Sequence, residues 1–252
     1  MDFVIAIPTH NRNKMLRDKT LKFLSRQNIS QQRIFIFPSN STDFENREGE
    51  HYNIVRNEDN DSILKARNTI VNYFSEGTKI LEMDDDINYI CKFGNMEVSN
   101  FQELIINCFK KCGDGIFGFN AGNNDYYWTN DERMGLMPII GSCCGYTNDK
   151  SIILTLKEKE DYERVIMFYE RGKLPYKFCQ YGIKTRYWKN KGGIQDRYDF
   201  EERLKVQAEV ANYLVRTYPH YCYARKRRNG LVDIRFKVQK HCPIEIYTGN
   251  LL

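Results

Sequence analysis

The chain has 252 residues, 41% hydrophobic and 28% charged, which is enough for one large domain with a buried core. Its formal charge of +5 is uneven: residues 171–240 hold 18 Lys and Arg against 6 Asp and Glu, a net +12, which leaves −7 elsewhere. A basic end on an acidic body points to a polyanionic partner, the bland alternative being a solvated lysine-rich face. Apolar runs such as residues 3–8 fall far short of the roughly 18–20 residues of a membrane span, and the first residues are not a basic-then-apolar signal. The expectation is therefore a soluble cytoplasmic protein without a membrane partner, in the host cytoplasm if the source is viral. Eight scattered cysteines without a CxxC pair read as reduced thiols, and His10, His51, His220 and His241 have no familiar zinc spacing.

Residues 3–8 read as a buried strand, followed by a helix over 13–27 with Met15, Leu16, Leu21, Phe23 and Leu24 near helical spacing. Residues 33–38 form a second strand, broken by the turn residues Ser39-Asn-Ser-Thr42. A second helix spans 62–74, capped by Asp61 or Ser62 and stopped at Gly77. Residues 79–83 are a third strand, then a helix over 101–111 and extended segments at 115–120 and 138–146. Helices follow over 158–171 and 200–217, the latter ended by Pro219. Strands alternating with helices are the signature of βαβ construction, and neither an internal repeat nor a low-complexity linker marks a domain boundary.

Polar residues cluster at the predicted strand ends: Pro8-Thr-His-Asn-Arg12, Ser39-Asn-Ser41 and Asp84-Asp-Asp86. The carboxyl edge of an open α/β sheet is where such folds bind ligands. Three adjacent carboxylates raise one another's pKa unless water or a cation intervenes. A hard divalent cation takes one or two carboxylates plus substrate phosphates. Alternation along an extended end would turn Asp84 and Asp86 to one side and Asp85 to the other.

Glu160-Asp-Tyr-Glu-Arg164 opens a predicted helix, where acids suit the helix dipole; the alternative is a carboxylate placed to take a proton from an attacking hydroxyl. Residues 182–195 mix cations with paired glycines and read either as a phosphate-approaching loop or as a basic hairpin with a Gly-Gly turn. Arg225-Lys-Arg-Arg228, beside Tyr221 and Tyr223, suits nucleic acid or is a plain exposed turn.

Taken in order, Ile5-Ala-Ile-Pro-Thr-His-Asn-Arg12, Ala66-Arg-Asn68, Leu81-Glu-Met-Asp-Asp-Asp86, Glu160-Asp-Tyr-Glu-Arg164 and Ile183-Lys-Thr-Arg-Tyr187 with Gly192-Gly193 resemble the TET/JBP-associated glycosyltransferases. That group includes DNA glucosyltransferases of T-even phages, and the first three stretches are shared by many glycosyltransferases. The resemblance implies an α/β, GT-A-like single Rossmann-type domain over residues 1–252, with a mixed central sheet and a basic, partly helical C-terminal portion. Residues 1–150 would bind the nucleotide sugar and 151–252 the acceptor.

It further implies transfer of a sugar, glucose first and arabinose as the alternative, from a UDP-sugar to 5-hydroxymethylcytosine in phage DNA, bare or already glycosylated, with inversion. Pro8, Thr9, His10, Arg12 and Ser39 would line the uridine and diphosphate, while Arg67 and Asn68 would face the donor sugar or its phosphates. Asp84 and Asp86 would be the DxD pair for Mn2+ or Mg2+, Asp86 as the direct ligand, while Asp85, on the other side of the extended end, would face the ribose or a neighbouring loop. Asp161 would be the general base, with Glu160 as runner-up. Lys184, Arg186, Lys191, Gly192 and Gly193 would close over the diphosphate, and Arg225, Lys226, Arg227 and Arg228 would hold the DNA backbone. One departure is the late histidine of many GT-A metal sites, for which only His220 and His241 are candidates. Two other readings are a glycosyltransferase acting on a polysaccharide or lipid-linked acceptor, and a non-catalytic nucleic-acid-binding protein.

Overall fold

The computed structural model describes residues 2–39, 44–56, 62–92, 95–121, 128–185, 200–227 and 230–237. Arg186, Lys191, Gly192, Gly193, Arg228 and His241 lie outside them. The core is a mixed sheet whose apolar runs form β1 (Val4–Thr9), β2 (Ile34–Pro38), β3 (Asn53–Ile54), β4 (Lys79–Met83), β5 (Tyr89–Lys92), β6 (Met96–Glu97), β7 (Ile116–Ala121), β8 (Glu132–Met134), β9 (Cys143–Thr147) and β10 (Pro175–Lys184). Their order is β3-β2-β1-β4-β9-β7-β10-β5-β6, with β8 added beside β10. β1 runs parallel to β2 and β4, with Ile5 opposite Ile34 and Leu81. β9 reverses direction between β4 and β7, and β10 resumes parallel to β7.

The first helix enters as α1 (Asn13–Leu16), passes through one π-helical turn over Arg17–Leu21 and leaves as α2 (Lys22–Arg26). α3 (Ile63–Tyr73) starts where the Ser62 hydroxyl accepts from the Lys65 amide, and α4 (Phe101–Cys112) where Asn100 does the same for Glu103. α5 (Glu160–Glu170) and α6 (Phe200–Thr217) follow. The last two strands, β11 (Cys222–Lys226) and β12 (Val232–Phe236), form a separate antiparallel hairpin.

Strand alternation divides the core into two layers. Leu81 and Met83 of β4 pack with Leu16, Leu24, Phe101 and Phe109 on the face carrying α1, α2 and α4. Ile80 packs with Ile70, Val71, Val165 and Phe168 on the face carrying α3 and α5. A third cluster joins Ile166 of α5 to Ala211 and Leu214 of α6 and to Cys222 and Ile234 of the hairpin.

Ten strands and helices thus match the order read from the sequence, with one trimmed: the extended segment at 138–146 is a strand only from Cys143. Of residues 182–195, read as a loop or a hairpin, the first three complete β10, and residues 186–195 lie outside the described residues. All seven cysteines among the described residues are free thiols. None of the helices described is long and apolar enough to cross a membrane.

Candidate active site

Three strand ends meet at the aspartate run, where Arg12 lies between Asp85 and Asp86 and Arg67 beside Asp84. The chain leaves β4 at Met83 and turns at Asp85 and Asp86, so the extended alternation expected for Asp84 and Asp86 does not apply. Asp84 lies 3.9 Å from Arg67 Nη2 and keeps 35% of its side-chain surface open. Asp85 is buried; one oxygen accepts from the Thr9 hydroxyl at 2.8 Å and the other from Arg12 Nη1 at 3.2 Å. Asp86 accepts from the Thr185 hydroxyl at 3.0 Å and sits 3.8 Å from Arg12.

The turn is held from behind by Thr20, whose hydroxyl donates to the Asp84 carbonyl at 2.8 Å and accepts the Ile87 amide at 3.0 Å. Thr20 belongs to the π-helical turn between α1 and α2, and such turns recur at functional sites. Beside it, His10 Nδ1 and Ser39 Oγ approach to 2.6 Å at the ends of β1 and β2. Lys184, at the end of β10, reaches Asn95 at 3.4 Å. The structure therefore brings Thr9, His10, Arg12, Ser39, Lys184 and the three aspartates to one edge. Pro8 is buried beneath it, paired with Phe37.

Below the edge lies a charged network that the sequence reading did not single out. Glu82 follows Ile80 on the α3–α5 face and is completely buried. It accepts from Arg67 at 2.5 Å, Arg164 at 3.0 Å and the Tyr146 hydroxyl at 3.0 Å. Burial alone would raise its pKa, yet the Arg164 and Arg67 charges hold the carboxyl below its ordinary range. Arg67, expected at the donor sugar, is instead the buried hub. Besides Glu82 it reaches the Gly141 carbonyl at 3.2 Å, Asp84, and Glu160 at 3.1 Å through Nε. A Cβ at residue 141 would lie 2.5 Å from Arg67 Nη2, so the guanidinium fits only against glycine. Asn68, the other residue expected at the donor, exchanges two hydrogen bonds with the Leu154 backbone, both 2.9 Å.

Arg67 also ties the aspartate edge to the start of α5. Lys159, with a φ of +57°, turns the chain into that helix, so that Glu160 and Asp161 head it. Burial raises Glu160 to about 7, with Asp161 adding to the rise and Arg67 opposing it. Asp161 is also raised by burial, but Arg67 and the amides of Gly141 (3.4 Å) and Tyr162 (3.0 Å) favour its charged form. Both carboxyls of the pair are therefore raised by burial, and Asp161 is the one that also accepts backbone amides. Glu163, in the same turn, is spent on the Thr155 hydroxyl and the amides of Thr155 and Leu156.

At Asp84 the loss of water raises the carboxyl well above its ordinary range, with Asp86 and Asp85 adding to the rise and Arg67 opposing it. A bound cation would relieve that repulsion. Among the described residues no group of three or more His, Cys, Asp or Glu is placed to hold a metal alone. His220 lies exposed in the turn before β11. Two carboxylates with no third such ligand beside them among the described residues fit a hard cation shared with substrate phosphates.

The hairpin borders the same end of α5. Phe236 packs on Tyr162 with ring centroids 5.5 Å apart, and the charges of Asp233, Arg235 and Arg227 act on the Tyr162 hydroxyl. Strand pairing sets Tyr223 opposite Arg235 and Arg225 opposite Asp233 on the outward face. Arg225, Lys226 and Arg227 are exposed, and Arg227 pairs with Asp233 at 2.5 Å.

No protein-family model matches this sequence, and no curated protein matches it. Solved structures do match. S. aureus TarS 1-349 aligns at a TM-score of 0.52 and 13% identity, covering 85% of this chain and 66% of that one. GalNAc-T7, with UDP, GalNAc and Mn2+, aligns at 0.53 and 11%, covering 90% and 59%. The mannosyltransferase PcManGT of Pyrobaculum calidifontis, in complex with GDP-Man and Mn2+, aligns at 0.53 and 10%, covering 86% and 64%. The chain spans about three fifths to two thirds of the length of these proteins. At such identities the likeness is one of architecture, and the chain has the GT-A glycosyltransferase fold.

Proposed function

We propose that the chain is a metal-dependent glycosyltransferase that moves a sugar from a UDP-sugar to 5-hydroxymethylcytosine in DNA, bare or already glycosylated, with inversion. One observation carries the reading: Asp84 and Asp86 at a sheet edge beside His10, Ser39 and Arg12, joined through Arg67 to the carboxylate pair Glu160–Asp161 at the head of α5. Arg12 and Lys184 would meet the negative diphosphate, and Asp84 and Asp86 would hold Mn2+ or Mg2+. When bound, that cation offsets the diphosphate charge and stabilises UDP as leaving group. Asp161 takes the proton of the acceptor hydroxyl as that oxygen attacks the anomeric carbon. Glu160, beside it, is paired with Arg67. Glucose is the first donor to test and arabinose the second.

The DNA acceptor rests on the net +12 of residues 171–240, on the exposed cations of the hairpin beside α5, and on the motif resemblance. Backbone contacts of this kind give affinity without sequence choice. The test is incubation with Mn2+, UDP-glucose or UDP-arabinose, and DNA carrying cytosine, hydroxymethylcytosine or glucosylated hydroxymethylcytosine, read by the mass of the released nucleosides. A gain of one sugar on modified DNA, lost in Asp86→Ala, is expected. Turnover on a soluble glycan with no gain on any DNA would overturn the acceptor, and thermal insensitivity to UDP with Mn2+ would overturn the enzyme.

A further inference from the structure

Each carboxylate of the expected metal pair already faces a guanidinium: Asp84 lies 3.9 Å from Arg67 and Asp86 3.8 Å from Arg12. The two arginines differ in what holds them. Arg67 is buried and gripped at once by Glu82, Glu160 and the Gly141 carbonyl, so it is fixed in place. Arg12 stands in the short link between β1 and α1, after Asn11 with its φ of +53° and immediately before the first helical residue. Its side chain keeps 15% of its surface open. Nη1 bonds Asp85 at 3.2 Å and only leans toward Asp86.

The same lean decides how Asp86 can take a cation. Oδ1 of Asp86 accepts from the Thr185 hydroxyl at 3.0 Å, and Oδ2 is the oxygen that Arg12 faces. A divalent ion on Oδ2 would stand close to a permanent positive charge, and like charges that close repel in proportion to how little water lies between them. Two side chains that are 14% and 15% exposed leave little water there. The repulsion is lifted when an anion arrives that can take both cations, as a diphosphate can.

We propose that Arg12 is a place-holding cation: without a donor its guanidinium offsets the charge of Asp85 and Asp86, and with one it turns from Asp86 to the diphosphate as the divalent ion takes the carboxylate. Asp85, held from its other side by Thr9, is the pivot that keeps the arginine at the edge during the exchange. The inference rests on the glycosyltransferase reading and adds to it a coupling: Arg12 opposes the ion alone, and the nucleotide removes the opposition. By linkage the ion must strengthen nucleotide binding by the same factor.

The test measures binding rather than turnover. Mn2+ affinity is read from the loss of the free-ion EPR signal, with and without saturating UDP, in the parent chain, in Arg12→Gln and in Arg12→Lys, with Tm recorded for each. Arg12→Gln removes the charge and keeps a donor for Asp85, whereas Arg12→Lys keeps the charge. In the parent, UDP should tighten Mn2+ by roughly 5–150-fold. In Arg12→Gln the ion alone should bind about tenfold tighter than in the parent, the worth of one relieved charge contact at a partly buried site, and the gain from UDP should shrink by the same factor. Arg12→Lys should lie nearer the parent than Arg12→Gln does. A folded Arg12→Gln that binds Mn2+ alone no tighter than the parent, or an Arg12→Lys that matches it, would overturn the exchange and leave Arg12 a structural tie between β1 and the aspartate turn. Mn2+ affinity indifferent to UDP in the parent itself would overturn it whatever the variants do. Failure of the glycosyltransferase reading shows separately, as a parent whose Tm does not respond to UDP with Mn2+.

Discussion

Glu82→Gln is the sharpest test of the buried network, because one carboxylate there serves two guanidinium groups. Two charge-assisted bonds are worth about 1.5–3 kcal/mol each and the Tyr146 bond about 1 kcal/mol. The glutamine oxygen keeps part of this, but its amide hydrogens would face Arg67 and Arg164, and two buried cations would lose their shared anion. Breaking a buried pair in this way costs about 3–5 kcal/mol. For a chain of this size that is a fall in Tm of roughly 6–20 °C. The sign with pH follows from the lowered carboxyl: its contribution is present above the ordinary value of 4.5 and is lost as pH falls through its folded pKa. The gap between parent and variant should therefore be full at pH 7 and shrink in acid. Arg164→Met is the comparison, since it leaves Glu82 paired with Arg67 and should cost less. Thermal and denaturant unfolding of both variants decide the matter. A Glu82→Gln Tm within about 2 °C of the parent, or an Arg164→Met loss as large as its own, would refute Glu82 as the shared anion.

Three further outcomes follow from other parts of the site. The rate should fall as pH drops through the raised, coupled titration of the Glu160–Asp161 pair; Glu160→Gln removes one of the two coupled carboxyls, so that limb should move to lower pH, while Asp161→Asn should cost about 10²–10⁴ in kcat. Thr20→Val orphans the Asp84 carbonyl and the Ile87 amide, a loss of about 1–3 kcal/mol in denaturant unfolding, and Thr20→Ser should recover most of it. Arg225→Ala with Lys226→Ala should lower the salt slope of DNA binding by about one per lost phosphate contact without changing UDP affinity; an unchanged slope would take the hairpin out of the interface.

Periodicity revealed the elements whose apolar positions are regular. β1, β2 and β4 are short apolar runs and α3 to α6 carry helical stripes, so their order and the ligand edge could be read directly. β10 escaped because it mixes Tyr176, Phe178 and Ile183 with Lys177, Gln180 and Lys184 and contains a register shift. Its parallel partner β7 lies about 60 residues upstream, which no local pattern reports. The buried network, by contrast, had a signal. Glu82 sits between Leu81 and Met83 in a strand otherwise apolar after Lys79, and a charge buried there demands a cation. Arg67 and Arg164, on helices predicted to cover that sheet, were the available ones.

The three aspartates show how a site can be legible while its division of labour is not. Adjacent like charges suggested a cation from the outset, and an extended strand end would have paired Asp84 with Asp86. The turn held by Thr20 sends each side chain elsewhere instead. Asp85 has one oxygen taken by Thr9 and the other by Arg12, so it ties the end of β1 to the end of β4. Both of its oxygens already have donors, which makes it the poorest ligand of the three. Asp86 is steadied by Thr185 at the end of β10, and Asp84 leans on Arg67 while keeping a third of its surface open. Arg67 is itself pinned between Glu82 and Glu160. A charge arriving at Asp84 would therefore be felt, through one guanidinium, at the helix end that carries Glu160 and Asp161; on the proposed reading that would link the leaving-group side of the site to the side where the acceptor proton is taken.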